Sequence, residues 1–164
     1  MPDVFDRLKS IPGCAYLQKA AVDSIVLESA TSDMGVETGG ILLGRYDSDG
    51  YVVSVAGGPG PDAVHERDYF LRDLRHAKSL AAYAWNTDMS QWIGDWHTHP
   101  DGPLIPSPAD LRSYRMHLKD PELGFTSFLS IVARTTGRGV ALAAWAVMAS
   151  HLERIELVVS ADRE

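Results

Sequence analysis

Between Gln18 and Ser32 the residues Ala21, Val22, Ile25, Val26 and the small Ser29 recur at helical spacing, which predicts a first helix. Gly39 to Tyr46 is a short apolar run that ends at Asp47-Ser48-Asp49-Gly50. Tyr51 to Ala56, β-branched and alternating, follows it, so the two runs predict a hairpin turned at Asp49-Gly50. Gly57-Gly58-Pro59-Gly60-Pro61 breaks the pattern and reads as a loop, because proline removes ladder donors and glycine favours bends. A second helical stripe runs from Leu71 to about Asn86 through Leu74, Ala77, Leu80, Ala81, Ala84 and Trp85. Trp92 to Trp96 predicts a short strand leading straight into His97. A third helix is predicted from about Pro108 to Leu118, with Ser107 as its N-cap and Pro108 at its first position. Phe128 to Ala133 and Val140 to Ala149 read as paired strands turned at Thr136-Gly137-Arg138-Gly139, and Ile155 to Val159 as a last strand.

These elements follow one another without repeat, low-complexity tract or long linker. The chain of 164 residues therefore reads as a single α/β domain, 1–164, with residues 1–12 expected to form a flexible N-terminal segment. With 45% hydrophobic and 23% charged residues and a mean hydropathy of -0.10, the composition is that of a soluble globular protein. The net charge of -7 and a pI near 5.3 argue against nucleic acid as a partner, since neutralising phosphates takes a clustered excess of Lys and Arg. No stretch reaches the roughly 20 apolar residues of a membrane span, and the first residues lack a signal-peptide core, so the expectation is a cytoplasmic protein with no membrane partner. Cys14 is the only cysteine; it excludes an internal disulfide and a thiolate metal cluster, and reads as a small buried apolar residue.

Any metal site must then use histidine and carboxylate, and one segment offers both: His97-Thr98-His99-Pro100-Asp101-Gly102-Pro103-Leu104-Ile105-Pro106-Ser107-Pro108-Ala109-Asp110. If His97 and His99 end a strand, their spacing of two points both imidazoles to one face. The proline-rich loop then reverses the chain and delivers Ser107 and Asp110 to the first turn of the next helix. Two histidines and one carboxylate are the ligand set of a catalytic zinc that keeps its fourth position open. The same donors also suit iron or manganese, so zinc is the expected ion and the others stay open. Read alone, Ser107-x-x-Asp110 is a capping-box start, and the two upstream histidines add metal binding to that role for Asp110. Glu37 alone reads as a solvated residue before a strand. His65, His76, His117 and His151 read as surface or structural, and Trp85, Trp92, Trp96 and Trp145 as mainly core, with Trp96 placed to shape the rim of the site. The glycines at 57, 58 and 60 are no phosphate cradle, because prolines interrupt the run of N–H donors.

Taken together, Glu37-Thr38-Gly39-Gly40-Ile41-Leu42-Leu43-Gly44 followed by His97-Thr98-His99-Pro100, six residues, Ser107, two residues and Asp110 resembles the JAMM or MPN-plus (JAB) metalloprotease family. Gly58-Pro59-Gly60-Pro61-Asp62-Ala63-Val64 and Phe70 look like the connecting region of its small prokaryotic, deubiquitinase-like members, so the resemblance covers most of the chain. It implies a three-layer MPN domain, similar to cytidine deaminases, with a curved mixed sheet flanked by helices. It implies one catalytic Zn2+ held by His97, His99 and Asp110, with Glu37 as general acid/base and Ser107 as hydrogen-bond donor to the oxyanion. Thr98 stands where relatives often carry serine, and a hydroxyl is kept.

The implied activity is hydrolysis of an isopeptide or peptide bond after the C-terminus of a ubiquitin-like protein, by deconjugation or by precursor processing. The implied partners are that protein or its conjugates and the activating and conjugating (E1/E2-like) enzymes of the same operon, as in bacterial antiphage operons of the CBASS type. The alternative is a non-catalytic MPN module that binds a ubiquitin-like protein or a conjugation enzyme. A zinc deaminase is excluded, since its P-C-x-x-C ligand set needs two cysteines and the chain has one.

Overall fold

The structure, a computed structural model, describes residues 12–32, 35–47 and 49–161. The flexible segment expected at residues 1–12 lies outside the described residues except for Pro12. The elements in chain order are β1 (Cys14–Gln18), α1 (Lys19–Thr31), β2 (Gly39–Tyr46), β3 (Tyr51–Ala56), β4 (Val64–His65), β5 (Phe70–Leu71), α2 (Leu74–Asp88), β6 (Gln91–Thr98), α3 (Pro108–Lys119), β7 (Phe128–Thr136), β8 (Gly139–Val147) and β9 (Leu152–Ser160). Among the described residues, then, three helices accompany a mixed sheet, the α/β class expected.

Seven strands pair in the order β1-β3-β2-β6-β7-β8-β9, and β1 also pairs with β9. The β1–β3, β1–β9 and β6–β7 pairs are parallel and the others antiparallel. Period-two alternation sorts the apolar side chains to two faces. Leu42 of β2 packs with Ala21 and Ile25 of α1, whereas its neighbours Ile41 and Leu43 pack with Ala77 and Ala84 of α2. On β7 and β8 Leu129 and Ala146 join the α1 side, and Phe128 and Val147 meet Tyr114 of α3. Residues of α1 thus cluster with one set of strand side chains, and residues of α2 and α3 with others.

Several boundaries differ from the sequence reading, each for a local reason. The strand β1 was not expected; it is five residues long and runs into α1 without a turn or a capping side chain. The expected start of the second helix at Leu71 is overturned. Phe70 and Leu71 pair with His65 and Val64 as a small separate sheet, and Asp73 caps α2 by accepting the His76 N–H at 3.1 Å. The strand expected to stop at Trp96 continues through His97 and Thr98, between β2 and β7. The turn expected over Thr136 to Gly139 tightens to Gly137-Arg138, with Thr136 and Gly139 paired. Trp85, expected in the core, is 47% exposed on α2, and Cys14 is buried as expected.

One irregularity shapes the site. Leu42 pairs with Gly94 but Leu43 with Trp92, so Ile93 is an extra residue in β6. It puts Trp92 on the face shared with Asp95, while Ile93 and Trp96 point into the α1 side of the core. The outer face of β6 is thereby reserved for Asp95 and His97.

Candidate metal centre

β6 sits between two partners at its functional end: Gly39 and Gly40 of β2 pair with His97 and Trp96, and Ile131 and Val132 of β7 pair with Trp96 and His97. His99 follows one residue beyond the strand, with its N–H donating to the Ala133 carbonyl at 2.8 Å. The two imidazoles share one face, with ring centroids 4.7 Å apart and their Nε2 atoms separated by 2.9 Å. Both histidines are buried.

The loop from Pro100 to Pro106 is tied down by side chains of the strands beneath it. Arg134 of β7 donates to the Gly102 carbonyl at 3.1 Å, and the Trp145 indole of β8 donates to the Leu104 carbonyl at 2.9 Å. Its last residues start α3 with a full capping box: the Asp110 N–H donates to Ser107 Oγ at 3.1 Å, and the Ser107 N–H donates to Asp110 Oδ2 at 2.7 Å. That same Oδ2 lies 3.0 Å from His97 Nε2 and 3.3 Å from His99 Nε2. Capping and the approach to the histidines are therefore one arrangement.

His97, His99 and Asp110 each turn one ligand atom toward a common point, and the three together could hold a metal ion. The fit can be tested on spacing. Tetrahedral donors with bonds of about 2.0–2.1 Å stand about 3.3 Å apart, close to the separations of 2.9, 3.0 and 3.3 Å found here. It can also be tested on tautomer. His99 Nδ1 lies 2.9 Å from the Pro103 carbonyl, which only accepts, so in the neutral ring Nδ1 carries the proton and Nε2 offers its lone pair.

Glu37 arrives from the other side of the sheet order, just before β2. It is 8% exposed, and its Oε1 is 4.0 Å from His99 Nε2. The backbone around it is clasped. Its N–H donates to the Glu66 carbonyl at 2.7 Å, and His65 Nδ1 donates to its carbonyl at 2.9 Å. Next to it the Thr38 N–H donates to Thr98 Oγ1 at 2.9 Å, the Thr98 N–H donates to the Thr38 carbonyl at 2.8 Å, and Thr38 Oγ1 donates to Glu28 of α1 at 2.8 Å. Gly39 makes the approach possible: a Cβ there would overlap the Trp96 carbonyl and come within 2.9 Å of His97 Cα.

The two carboxylates are pushed in opposite directions. Burial pushes the Glu37 carboxyl up, and the nearby His97 and His99 only partly oppose this. Burial acts on Asp110 in the same sense, but hydrogen bonds from His97 and His99, their charge and the Ser107 N–H outweigh it and hold the carboxyl well below the usual range. Burial pushes the His99 imidazole down, yet the hydrogen bonds to Asp110 and the Pro103 carbonyl win and raise it.

Further residues complete the site that sequence reasoning did not single out. Tyr114 of α3 places its hydroxyl 3.2 Å from His97 Nδ1. Arg72, just after β5, pairs with buried Asp95 of β6 and stacks its guanidinium 5.5 Å from the Trp92 ring centroid, tying the small sheet to the strand that carries His97. An i to i+4 step from Asp110 to Tyr114 was the available signal for the first. Nothing in the sequence marked the second pair. A cavity of about 250 Å³ opens between Phe70, Leu71 and Ser113 on one side of the centre, and one of about 500 Å³ between Arg67, Pro100 and Ser107 on the other. Glu37 and Asp68 line both.

Compared with known proteins, residues 19–155 match the family described as prokaryotic homologs of the JAB domain. The chain belongs to that family. The resemblance to JAMM metalloproteases read from the motif is thereby borne out. This JAB-domain chain is similar to a CD-NTase/cGAS isopeptidase of Enterobacter hormaechei, with 33% identity over 116 residues and 63% of each chain covered. It is also similar to a probable metalloprotease of Sinorhizobium fredii, 28% identical over 116 residues that cover 68% of this chain and 70% of the relative. The matched region spans less than two thirds of the length of the isopeptidase relative. Among solved structures, a Desulfitobacterium hafniense protein superimposes with a TM-score of 0.69 at 18% identity, covering 92% of this chain and 95% of that one. A Salinibacter ruber protein does so with a TM-score of 0.57 at 22% identity, covering 91% and 93%. At those identities the two structures speak for the fold alone.

Proposed function

We propose that this JAB-domain protein is a zinc-dependent hydrolase that cleaves an isopeptide or peptide bond after the C-terminus of a ubiquitin-like protein, on the three-layer MPN frame its motif implies. The observation that carries the reading is the meeting of His97 Nε2, His99 Nε2 and Asp110 Oδ2 at 2.9–3.3 Å, with Glu37 Oε1 4.0 Å from His99 Nε2. In this reading His97, His99 and Asp110 hold the zinc ion. When bound, the ion supplies Lewis-acid polarisation of the scissile carbonyl and acidifies water toward a pKa of about 7.

The chain's own residues do the rest. Glu37, its carboxyl pushed up by burial, takes a proton from the attacking water and passes it to the leaving amine. Ser107 Oγ accepts the Asp110 N–H, which leaves its own hydroxyl proton to donate to the carbonyl oxygen as negative charge builds there. The cavities on either side of Glu37 give room for chain on both sides of the scissile bond.

The isopeptide substrate is supported by the name of the Enterobacter relative. By extension we place the protein in antiphage defence, beside activating and conjugating enzymes, with a conjugate of a ubiquitin-like protein as substrate. Chelation should abolish cleavage of such a conjugate and added zinc should restore it. Full cleavage by metal-free protein overturns the mechanism. Protein purified without chelator that carries no metal favours the non-catalytic binding module instead.

A further inference from the structure

The two histidines of the centre are held from behind by different kinds of group. His99 Nδ1 faces a carbonyl, which accepts and cannot donate, so that ring has one neutral tautomer. His97 Nδ1 faces the Tyr114 hydroxyl at 3.2 Å, which can do either. We propose that Tyr114, backed by Ser130, is a positioning residue for His97: a pair of hydroxyls that fixes the ring in place while serving either tautomer, so that Nε2 can turn its lone pair to a metal ion. This rests on the metal-site reading above.

The placement of Tyr114 suits that task. It lies one helical turn after Asp110 on α3, so a single helix delivers both a carboxylate to Nε2 and a hydroxyl to Nδ1. It is 4% exposed, and its ring stacks on Phe128 with centroids 4.8 Å apart and planes inclined by 27°, which fixes where the oxygen points. Behind it, fully buried Ser130 of β7 donates to the Tyr114 oxygen at 3.4 Å. In that direction the chain runs Ser130 to Tyr114 to His97 Nδ1, and the ring proton sits on Nε2, donating to Asp110 Oδ2 at 3.0 Å. When water takes the ring proton from Nε2 and returns one to Nδ1, turning both hydroxyls reverses it: His97 Nδ1–H donates to Tyr114, Tyr114 donates to Ser130, and Nε2 is left with a free lone pair. Each state holds one ring proton and the same hydroxyl protons, so the reversal needs no heavy atom to move and no change of charge. A phenyl ring at this position would take away the hydroxyl partner of the buried Nδ1, and a buried polar group left unpaired is costly.

The test compares wild type, Tyr114→Phe and Ser130→Ala by chelator-competition titration with zinc and by imidazole 15N NMR of the metal-free proteins. Tyr114→Phe should weaken zinc binding about 10–100-fold, the usual range for losing a partner behind a ligand histidine, and Ser130→Ala by less. The 15N signals of His97 should move to a new tautomer ratio in both variants while those of His99 stay put, a readout that loss of packing alone does not give. Tyr114→Phe with wild-type zinc affinity and unchanged His97 signals overturns the inference and leaves the metal site standing. Wild-type protein that binds no zinc overturns the reading beneath it. If Tyr114→Phe does not fold, unaltered His97 signals and zinc affinity in Ser130→Ala overturn the inference by themselves.

Discussion

Two carboxylates reach the same pair of histidines by opposite routes, and their surroundings shift them in opposite directions. Asp110 comes with a helix start. Its Oδ2 accepts the Ser107 N–H and faces both Nε2 atoms, so donors on every side keep it ionised. Glu37 comes with a strand start, held by its backbone between Glu66, His65 and the Thr38–Thr98 pair, and its carboxylate is buried 4.0 Å from the nearest imidazole nitrogen. Burial dominates and raises it. Neighbouring acids whose surroundings push them apart divide the work between them: the fixed charge suits a ligand, and the group poised to gain and lose a proton suits an acid/base.

The largest effects follow from exchanging those roles. Glu37→Gln should cut turnover by about 10²–10⁴-fold, the range for a lost acid/base, while metal content stays at the wild-type level. Asp110→Asn should instead lose metal, and its activity only as a consequence. Metal analysis beside single-turnover kinetics separates the two; a Glu37→Gln protein stripped of metal, or an Asp110→Asn protein that keeps it, would break the contrast.

Ser107 caps the helix that carries Asp110, and in the proposed reaction it acts beside Glu37. Ser107→Ala removes the cap and the hydroxyl, Ser107→Gly mainly the hydroxyl, since glycine at an N-cap costs only a few tenths of a kcal/mol. Both should lower turnover by about 10²–10³-fold, and the alanine variant should lose about 1 kcal/mol more stability in urea unfolding. If the glycine variant turns over like wild type, the hydroxyl donates nothing to the reaction and Ser107 is a cap alone.

Gly39 tests how tightly the Glu37 strand must approach. Gly39→Ala places a Cβ against the backbone of Trp96 and His97, neither of which is a flexible side-chain end. An overpacked site of this kind costs about 1–3 kcal/mol, readable from urea midpoints. The same substitution at Gly58, where nothing lies within 4 Å of an added Cβ, should change the midpoint far less. Equal shifts at the two positions would mean that the close approach at His97 is not what Gly39 serves.

The strands of the hairpin, the three helices and the start of α3 were legible because each has a period or a cap of its own. The shared face of His97 and His99 was legible for the same reason, as period two survives wherever the strand ends. What escaped depended on partners distant in sequence. β1 has no signal beyond five residues and is a strand because β3 and β9 flank it. The β4–β5 pair is two residues wide and depends on Arg72 meeting Asp95 across 23 positions. Glu37 reads as a solvated residue until β2 is laid against β6, when Gly39 pairs with His97 and the side chain two residues earlier is carried into the site. Trp85 failed the other way: it fits the helical stripe, yet Ala77, Leu80, Ala81 and Ala84 fill the contact with β2 and leave Trp85 47% exposed.

The smallest expected effect concerns stability and pH in the metal-free protein. The folded-state pKa of Glu37 is raised, so its protonated form is favoured by folding; that contribution is whole below the unfolded value of about 4.3 and is lost as pH rises through the folded value. For Asp110 the folded value is lowered, so its contribution is present above the unfolded value of about 3.9 and is lost as pH falls toward the folded one. Above the raised Glu37 value the metal-free chain bears a buried Glu37 charge, so there Glu37→Gln should raise its urea midpoint, with the gain shrinking as pH falls through that value. Asp110→Asn should lower the midpoint at neutral pH and approach wild type in acid. A Glu37→Gln gain that persists unchanged to pH 4 would show that relief of charge is not its source, and the division between the two carboxylates would then rest on geometry alone.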